Sequence, residues 1–251
     1  MAKVIALANQ KGGVGKTTTA INTGAYLAEL GKRVLLLDID PQGNAGSGLG
    51  VSVMNLQKTV YQVLLGEISA DEAILKTAIP NLWLLPANID LSGLEVDLLD
   101  VKNRDYILKE IINKIKINYD YVLIDCPPSL GLLTLNALCA ADRVLIPLQC
   151  EYFALEGLTQ LLRVVRLVQQ DLNPTLAFEG VLLTMYDSRT RLSAQVVQDV
   201  KTHFKEQVFE VIIPRNVKLS EAPSFGEPIG VYEPLSAGAI AYKKLAKEMV
   251  S

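Results

Sequence analysis

A run of glycines, lysines and threonines follows the first apolar stretch of the chain, and its spacing suits phosphate chemistry. In order, the run is Asn9-Gln10-Lys11-Gly12-Gly13-Val14-Gly15-Lys16-Thr17-Thr18. Glycines let backbone N–H groups approach phosphate oxygens, and a helix that starts at such a loop adds positive potential. Lys16 can reach the β- and γ-phosphates of a nucleotide, and Thr17 can ligate Mg²⁺. The run therefore predicts a phosphate-binding loop, although Gln10 stands where the common pattern has its first glycine. A plain tight turn is the alternative, but it leaves the lysine between Gly15 and two threonines unexplained.

Three carboxylates lie at or just past the ends of apolar runs. Asp38 and Asp40 have the same parity on the second run, so we expect them to point the same way, beside the first strand and the phosphate loop. Asp125 closes a later apolar run, a form typical of a strand that holds Mg²⁺, often through water. Each signal is weak alone, and Asp40 can also belong to a simple turn. Together with Lys16, the three carboxylates predict a site for a magnesium nucleotide.

The elements that must position these groups alternate along the chain. Continuous apolar runs predict strands buried on both faces at Val4–Ala8, Val34–Asp38, Leu82–Leu85, Tyr121–Asp125, Arg143–Leu148, Phe178–Thr184 and Val211–Ile213. Apolar residues at helical spacing predict helices over Thr17–Leu30, Asp105–Ile117, Leu155–Gln170 and Ala237–Val250, with a further stripe at Leu192, Val196, Val200 and Phe204. This alternation predicts an α/β fold with a single doubly wound, mostly parallel sheet flanked by helices. Ligands in such sheets bind at the carboxyl ends of the strands.

Composition narrows the class of protein. The chain has 251 residues, of which 50% are hydrophobic and 20% are charged, so a large core can form and disorder is excluded as the main state. Lys and Arg number 24 against 27 Asp and Glu, and the net charge of −3 argues against a polyanion-binding surface over the whole molecule, but not against a local basic patch. We expect neither a membrane span nor a secretory signal. Three widely spaced cysteines, Cys126, Cys139 and Cys150, fit a reducing cytoplasm better than a disulfide framework.

The phosphate-binding loop resembles a known motif. The segment Lys11-Gly12-Gly13-Val14-Gly15-Lys16-Thr17-Thr18 is similar to the deviant Walker A motif of the P-loop ATPase family that includes ParA, MinD and the nitrogenase iron protein. The resemblance implies that two protomers enclose two ATP molecules and that Lys11 reaches the nucleotide of the other subunit. It also implies that residues 11–18 bind the nucleotide and that Lys16 and Lys11 take part in catalysis.

Two further segments resemble the switches of this family. They are Asp40-Pro41-Gln42-Gly43, which is similar to switch I, and Asp125-Cys126-Pro127-Pro128, which is similar to switch II. The resemblance implies that Asp40 orients the attacking water. It implies that Thr17 binds Mg²⁺ and that Asp125 holds the ion through water. Asp38 would contact the groups that surround the ion, or would have a structural role.

The C-terminal third carries the candidate base pocket. The segment Pro214-Arg215-Asn216 resembles a loop that packs on adenine in ParA-like proteins, where the asparagine reads the ring, since an amide can both donate and accept. Met185 could flank the ring, with ordinary strand-end packing as the alternative. The segment Leu219-Ser220-Glu221-Ala222-Pro223-Ser224 narrows the resemblance to chromosomal ParA, or Soj, proteins, and the similarity runs from Lys3 to about Lys247. The resemblance implies one ATPase domain over residues 1–251, without the N-terminal helix-turn-helix domain of longer plasmid relatives.

Two basic residues match positions that bind DNA without sequence preference in Soj-like dimers. They are Arg189 and Lys218, and the family often has arginine at the second position. Lys201, Lys205 and Lys244 are further candidates, with a solvated helix face as the alternative for them. The resemblance implies an ATP-dependent homodimer that binds double-stranded DNA in the nucleoid. There it serves chromosome or plasmid partition with a ParB/Spo0J-type centromere-binding protein that stimulates its weak ATPase.

Two other functions share this fold. A MinD-like ATPase switches on a membrane surface through a basic amphipathic C-terminal segment, and we expect no such segment beyond the last core helix of this cytoplasmic protein. An iron–sulfur reductase or cluster carrier needs paired cysteines, and the three cysteines include no C-x-x-C pair.

Overall fold

The computed structural model describes residues 2–152 and 154–250. Within these residues the strands are β1 (Lys3–Leu7), β2 (Val34–Asp38), β3 (Leu75–Lys76), β4 (Leu82–Leu85), β5 (Tyr121–Asp125), β6 (Arg143–Gln149) and β7 (Ala177–Thr184). They form a seven-stranded sheet in the order β3-β4-β2-β5-β1-β6-β7. Only β3 pairs antiparallel, with β4, and the other pairs described are parallel. The predicted mostly parallel sheet is confirmed.

Helices of very different length connect these strands. They are α1 (Lys16–Glu29), α2 (Asn44–Ser47), α3 (Val60–Leu64), α4 (Ala70–Ala73), α5 (Leu94–Asp97), α6 (Ile107–Ile115), α7 (Leu132–Ala140), α8 (Ala154–Asp171), α9 (Arg191–Phe204), α10 (Val217–Glu221), α11 (Ile229–Tyr232) and α12 (Ala237–Val250). Short 3₁₀ turns lie at Val53–Asn55, Ile89–Gly93, Arg104–Tyr106, Lys116–Asn118, Lys205–Gln207 and Ala222–Phe225.

Both faces of the sheet are buried, which is why its strands read as continuous apolar runs. Val4 and Ala6 of β1 belong to the core that α6, α7 and α8 cover. Ile5 and Leu7 belong to a second core, which α1 and α12 cover. Because neighbouring residues of a strand point to opposite faces, a strand covered on both sides must be apolar throughout. This arrangement confirms a doubly wound sheet.

Three expectations about the elements were wrong. Val211–Ile213 is not a strand; isolated bridges lie on either side of it, between Val208 and Val181 and between Pro214 and Tyr186, and the Ile213 N–H donates to the Leu183 carbonyl of β7. The two-residue strand β3 was not predicted, because it is too short and polar to show periodicity. Leu192 is 46% exposed, because it lies in the first turn of α9, away from the face on which Val196 and Val200 are buried.

The strand order also differs from expectation beside the phosphate loop. We expected β2 next to β1, but β5 lies between them and pairs with both. Leu7, the last residue of β1, is in register with Asp125 of β5, which is in register with Asp38 of β2. The parallel order therefore brings both aspartates and the start of the loop to one edge of the sheet, with Asp125 in the middle.

Candidate functional site

The phosphate loop connects β1 to α1 and leaves its backbone open to solvent. Gly13 and Gly15 have φ of +74° and +93°, values that favour glycine. Gly15 is the N-cap of α1 and makes no side-chain cap hydrogen bond, so the first N–H groups of this helix have no side-chain acceptor there. Lys11, Gly12 and Gly13 are exposed. This arrangement fits an anion with several oxygens.

Hydrogen bonds to β6 and β7 hold the buried side of the loop in place. Val14 is buried, and its carbonyl accepts a 2.8 Å hydrogen bond from the Thr184 hydroxyl at the end of β7. The Asn9 amide donates to the Pro147 carbonyl of β6 at 2.7 Å, while its oxygen accepts from the Lys11 N–H at 3.0 Å. These bonds fix the base of the loop, and its glycine-rich tip remains accessible.

Lys16 is a buried cation at the centre of the site. It is 6% exposed, and its Nζ donates to the Lys11 carbonyl at 3.3 Å. Burial lowers the pKa of the Lys16 ammonium, and the nearby carboxylates of Asp125 and Asp40 oppose this change. A phosphate anion close to Nζ would stabilise the charged form in the same way.

Asp38 and Asp125 lie side by side but have very different partners. Asp38 accepts hydrogen bonds from the N–H groups of Asp40, at 2.9 Å, and of Ala45, at 3.1 Å. Both carboxylate oxygens of Asp125 are buried and accept no hydrogen bond of normal geometry from the described residues. Burial raises the pKa of Asp125 to about 7, although the nearby Thr17 hydroxyl and Lys16 ammonium act in the opposite direction. Burial and the charge of Asp125 also raise the pKa of Asp38.

An orphaned buried carboxylate beside an open phosphate loop fits a hydrated cation. No group of three or more His, Cys, Asp or Glu side chains in the described part of the chain could hold a metal by itself. Mg²⁺ binds through one or two carboxylates together with substrate phosphates. The residues present, Thr17 and Asp125 with Asp38 behind them, therefore fit an ion that arrives with a nucleotide.

Asp40 begins the turn after β2 and is 7% exposed. Its Oδ1 accepts from the Gln42 N–H at 3.0 Å, and its carbonyl accepts from the Gly43 N–H at 2.9 Å. Gly43 has φ of +63°, and an added Cβ there would lie 2.8 Å from the Ala87 carbonyl. The turn that positions Asp40 therefore requires glycine at this point.

A cavity of about 360 Å³ adjoins the start of α1. Its lining residues are Gly15, Thr18, Thr184, Met185, Ile213, Pro214, Arg215, Asn216, Leu219, Ser220, Pro223 and Tyr242. The structure thus brings the predicted base-pocket residues Met185, Pro214 and Asn216 to the phosphate loop. Sequence analysis missed Thr184 and Tyr242, which come from β7 and α12. The only available signal was that β7 must end at this edge of the sheet.

Asn216 is less free than its sequence suggested. Its side-chain oxygen accepts from the Lys218 N–H at 2.9 Å and caps the N-terminus of α10. Because the amide oxygen is used in this cap, the NH₂ group is the part of the Asn216 side chain that remains free to bond a base. Met185 has φ of +52°, an unusual value for a side chain of this size, and it lies in the turn where β7 meets this loop.

The comparisons with known proteins agree with this site. Residues 2–178 match the model of the AAA domain family. The chain is 56% identical over its full length to the sporulation initiation inhibitor protein Soj of Bacillus subtilis, of which it covers 99%. This chain belongs to the Soj/ParA family. It is also 55% identical to the chromosome partitioning protein ParA of Caulobacter vibrioides, over 99% of this chain and 94% of that protein.

Solved structures support the same fold. A Mycobacterium smegmatis structure named cobyrinic acid a,c-diamide synthase, with a bound ATP analogue and magnesium, has 44% identity and a TM-score of 0.88; the match covers 100% of this chain and 95% of that one. MinD of Pyrococcus horikoshii with Mg-ADP has 30% identity and a TM-score of 0.81; the match covers 99% and 96%. As for a membrane, none of the helices in the described residues has the length and apolarity to cross one.

In this Soj/ParA chain, Lys11 is paired within its own subunit. Its Nζ lies 2.5 Å from a carboxylate oxygen of Glu151, and both side chains are about half exposed. Sequence analysis missed Glu151; the available signal was an acid two residues past β6, at the edge where the loop must lie. The pair connects the tip of the phosphate loop to the segment that follows β6.

The candidate DNA-binding residues all lie on the surface. Arg189 precedes α9 and its side chain is 84% exposed, while the Lys218 side chain in α10 is 44% exposed. Lys201 lies 3.7 Å from Glu210. Lys205 is exposed at the end of α9 with φ of +44°, and Lys244 is exposed on α12.

Cys126 lies beside the charged groups of the site, next to Asp125, and the other two cysteines and the histidine lie elsewhere. Cys126, Cys139 and Cys150 are free and buried, and burial raises the pKa of each thiol, to about 11 for Cys139 and about 12 for Cys150. His203 is exposed, with Nδ1 2.7 Å from the Asp199 carbonyl of its own helix. These contacts indicate small apolar core residues and a surface histidine.

Proposed function

We propose that this Soj/ParA chain hydrolyses ATP with Mg²⁺, dimerises around the nucleotide, and binds DNA without sequence preference in chromosome or plasmid partition. The observation that carries the proposal is Asp125. Its buried, unpartnered carboxylate lies beside Lys16 and an open glycine loop, an arrangement that is unfavourable unless a cation and a phosphate complete it. The proposal is supported by family membership and by related structures that contain magnesium with an ATP analogue or ADP.

Different residues of the chain have different roles in phosphoryl transfer. The loop N–H groups and Lys16 bind the β- and γ-phosphates, and the cavity at Met185, Pro214 and Asn216 receives the base. Thr17 and Asp125 would hold Mg²⁺, which supplies neutralising charge on the transferring phosphoryl group. Asp40 orients water toward the γ-phosphate. Because these groups act by position and charge, the protein makes no covalent bond to the substrate.

Lys11 and Gly12 connect nucleotide binding to dimerisation. Both residues are exposed at the tip of the loop, on the surface that a second subunit would cover. A Cβ added at Gly12 would meet only the Pro128 side chain, at 3.8 Å, so the subunit itself has room there. Lys11 must leave Glu151 to reach a nucleotide held by a second subunit. An exposed ion pair of this type contributes at most about 1 kcal/mol, so a contact between Lys11 and a nucleotide phosphate can replace it.

DNA binding is proposed to require the dimer because each subunit offers few cations. With a net charge of −3, one subunit gains little from Arg189 and Lys218 alone at working salt. Two subunits double the number of phosphate contacts, and affinity grows steeply with that number. A ParB/Spo0J-type partner that stimulates hydrolysis would then separate the dimer and release its subunits from the nucleoid DNA.

An ATPase assay tests the proposal. Turnover of ATP with Mg²⁺ is measured alone, with an unrelated DNA duplex, and with DNA plus the cognate centromere-binding protein. The expected result is slow turnover alone and strong stimulation only when DNA and partner are both present. The absence of turnover under all three conditions would refute the enzymatic proposal. Turnover that the partner leaves unchanged would refute the proposed partnership.

A further inference from the structure

Arg189 does not present a free guanidinium to solvent. Its Nε–H donates to Asp187 Oδ1 at 2.9 Å and its Nη2–H donates to Oδ2 at 2.7 Å, so the Nε and Nη2 edge of the guanidinium is occupied. Asp187 also accepts from the Arg189 backbone N–H at 3.0 Å. This carboxylate thus takes one of the bidentate positions that a phosphate could use, and its negative charge offsets that of the whole guanidinium.

Lys218 has a similar partner on a different element. Its Nζ donates to Glu221 at 2.8 Å, and the same carboxylate oxygen accepts from the Tyr232 hydroxyl at 2.9 Å. The Lys218 ammonium also lies 5.7 Å from the centre of the Tyr232 ring, which stacks on Phe225. The ammonium is therefore held between a carboxylate and an aromatic face.

From these two pairs we infer that Asp187 and Glu221 restrain DNA binding by competing with DNA phosphates for Arg189 and Lys218. The inference rests on the proposed function, since it assumes that these two cations contact DNA. Asp187 and Glu221 are called the restraining carboxylates below. DNA must break both ion pairs of each subunit before its phosphates can take these positions, and this cost lowers the affinity of the complex.

Restraint and the opposite role, in which Asp187 orients Arg189 for a phosphate, predict opposite effects of removing the Asp187 charge. An orienting carboxylate leaves one edge of the guanidinium pointed at the ligand. Here Asp187 engages the Nε and Nη2 edge and leaves Nη1 open, and the Arg189 side chain is 84% exposed, so a phosphate must either displace the carboxylate or share the guanidinium charge with it. A phosphate gains that edge only after the carboxylate leaves it.

The physical consequence is a lower affinity for DNA. An exposed ion pair changes an equilibrium constant by about 1.4-fold to fivefold, so two copies of one pair change it by about twofold to 25-fold. The cost doubles in the dimer together with the number of phosphate contacts, so the restraint lowers the affinity of the dimer twice over. Restraint of this kind keeps affinity low enough for release once the dimer separates.

The test is a double-mutant cycle on the ATP-bound full-length protein, with fluorescence anisotropy of a random-sequence duplex as the readout. Asp187→Asn keeps the acceptor for the Arg189 N–H but removes the charge, and Glu221→Gln keeps an acceptor for the Tyr232 hydroxyl. Each substitution should tighten DNA binding by about threefold to tenfold per dimer. In an Arg189→Ala background, Asp187→Asn should change affinity less than twofold, because the cation it restrained is absent.

A matched control separates local restraint from net charge. Asp171 is exposed at the end of α8, before the start of β7, whereas Arg189 lies after the end of β7. Asp171 makes no ion pair among the described residues. Asp171→Asn changes the net charge by the same amount and should alter DNA affinity less than twofold. Thermal unfolding of each variant confirms that the fold is retained.

The outcomes are distinguishable. If Arg189→Ala weakens binding and Asp187→Asn fails to tighten it, the DNA site stands and the restraint is overturned. Weaker binding by Asp187→Asn would show an orienting role and would also overturn the restraint. Equal tightening with and without Arg189, or by Asp171→Asn, would reduce the effect to net charge. If Arg189→Ala and Lys218→Ala both leave affinity unchanged, the proposed DNA site itself is wrong, and the restraint falls with it.

Discussion

Asp125→Asn should stabilise the nucleotide-free protein while it destroys the magnesium site. The carboxylate is fully buried, accepts no hydrogen bond of normal geometry from the described residues, and lies beside Asp38. Burial raises its pKa from an ordinary 3.8 to about 7. The Thr17 hydroxyl and the Lys16 ammonium offset only part of the cost of burying this charge, so a neutral side chain of the same shape should relieve the rest.

The size of this effect follows from the pKa difference. About three pKa units correspond to about 4 kcal/mol of unfavourable free energy at a pH where the carboxylate is charged in both states. The asparagine amide remains buried and unpartnered, which returns about 1–2 kcal/mol of that gain. We expect a net stabilisation of about 2 kcal/mol near pH 8.5, or a rise in Tm of about 4–8 °C for a chain of this size.

The same pKa difference sets the pH dependence. The folded state binds the Asp125 proton more tightly than the unfolded state, so stability falls as pH rises from about 4 to about 7 and is level above that range. Asp125→Asn should flatten this fall. Asp38, whose pKa is also raised, continues to contribute in the same direction.

The assay is thermal and chemical unfolding at pH 5.5 and pH 8.5, with and without Mg-ATP. Mg-ATP should stabilise the unmodified protein far more than Asp125→Asn, so the order of stability should reverse when nucleotide is added. Asp38→Asn is the control, because that side chain would lose an acceptor for one of two backbone N–H groups and should give no stabilisation. Lower stability of nucleotide-free Asp125→Asn at pH 8.5 would refute the reasoning, and an undiminished response to Mg-ATP would remove Asp125 from the magnesium site.

Three further predictions concern the proposed cycle. Asp40→Ala should bind Mg-ATP with little change but lose turnover, because the attacking water is oriented only on the reaction path, whereas Lys16→Ala should lose nucleotide binding. Equilibrium nucleotide binding and phosphate release check both variants. Unchanged turnover of Asp40→Ala would exclude the role proposed for Asp40. Gly12→Val should bind ATP yet remain monomeric in size-exclusion chromatography beside Asp40→Ala, because the branched side chain has room in one subunit but would intrude between two; a stable dimer would contradict this. Arg189→Ala should weaken binding to two unrelated duplexes alike and flatten the salt dependence by about two units per dimer, and a preference for one duplex would contradict nonspecific binding.

Some parts of the site depend on neighbours in sequence, and these were predictable. The loop at Lys11–Thr18 needs glycines, a lysine and a hydroxyl at fixed spacing, because one short segment must wrap one phosphate group. The apolar strands were predictable for a similar reason, since a strand buried on both faces cannot hide a polar residue. Six of the seven predicted strands are present for this reason.

Other features depend on residues far apart in the chain, and only the tertiary structure decided them. The position of β5 between β1 and β2 makes Asp125 the central carboxylate, and strand order follows from packing of the whole sheet, which no single segment encodes. Whether a buried carboxylate has partners is equally non-local: Asp38 finds two N–H groups in its own turn, while Asp125 finds none.

The charged surface shows the same division. The sequence by itself determined that Arg189, Lys218 and Lys11 carry positive charge in the segments that resemble functional ones. It did not determine that each charge is already paired. Lys11 meets Glu151 across 140 residues of chain, and Lys218 shares Glu221 with Tyr232 of another helix. A side chain's charge is a property of its residue type, but its partner depends on which elements pack beside it, and that is settled only when the chain folds.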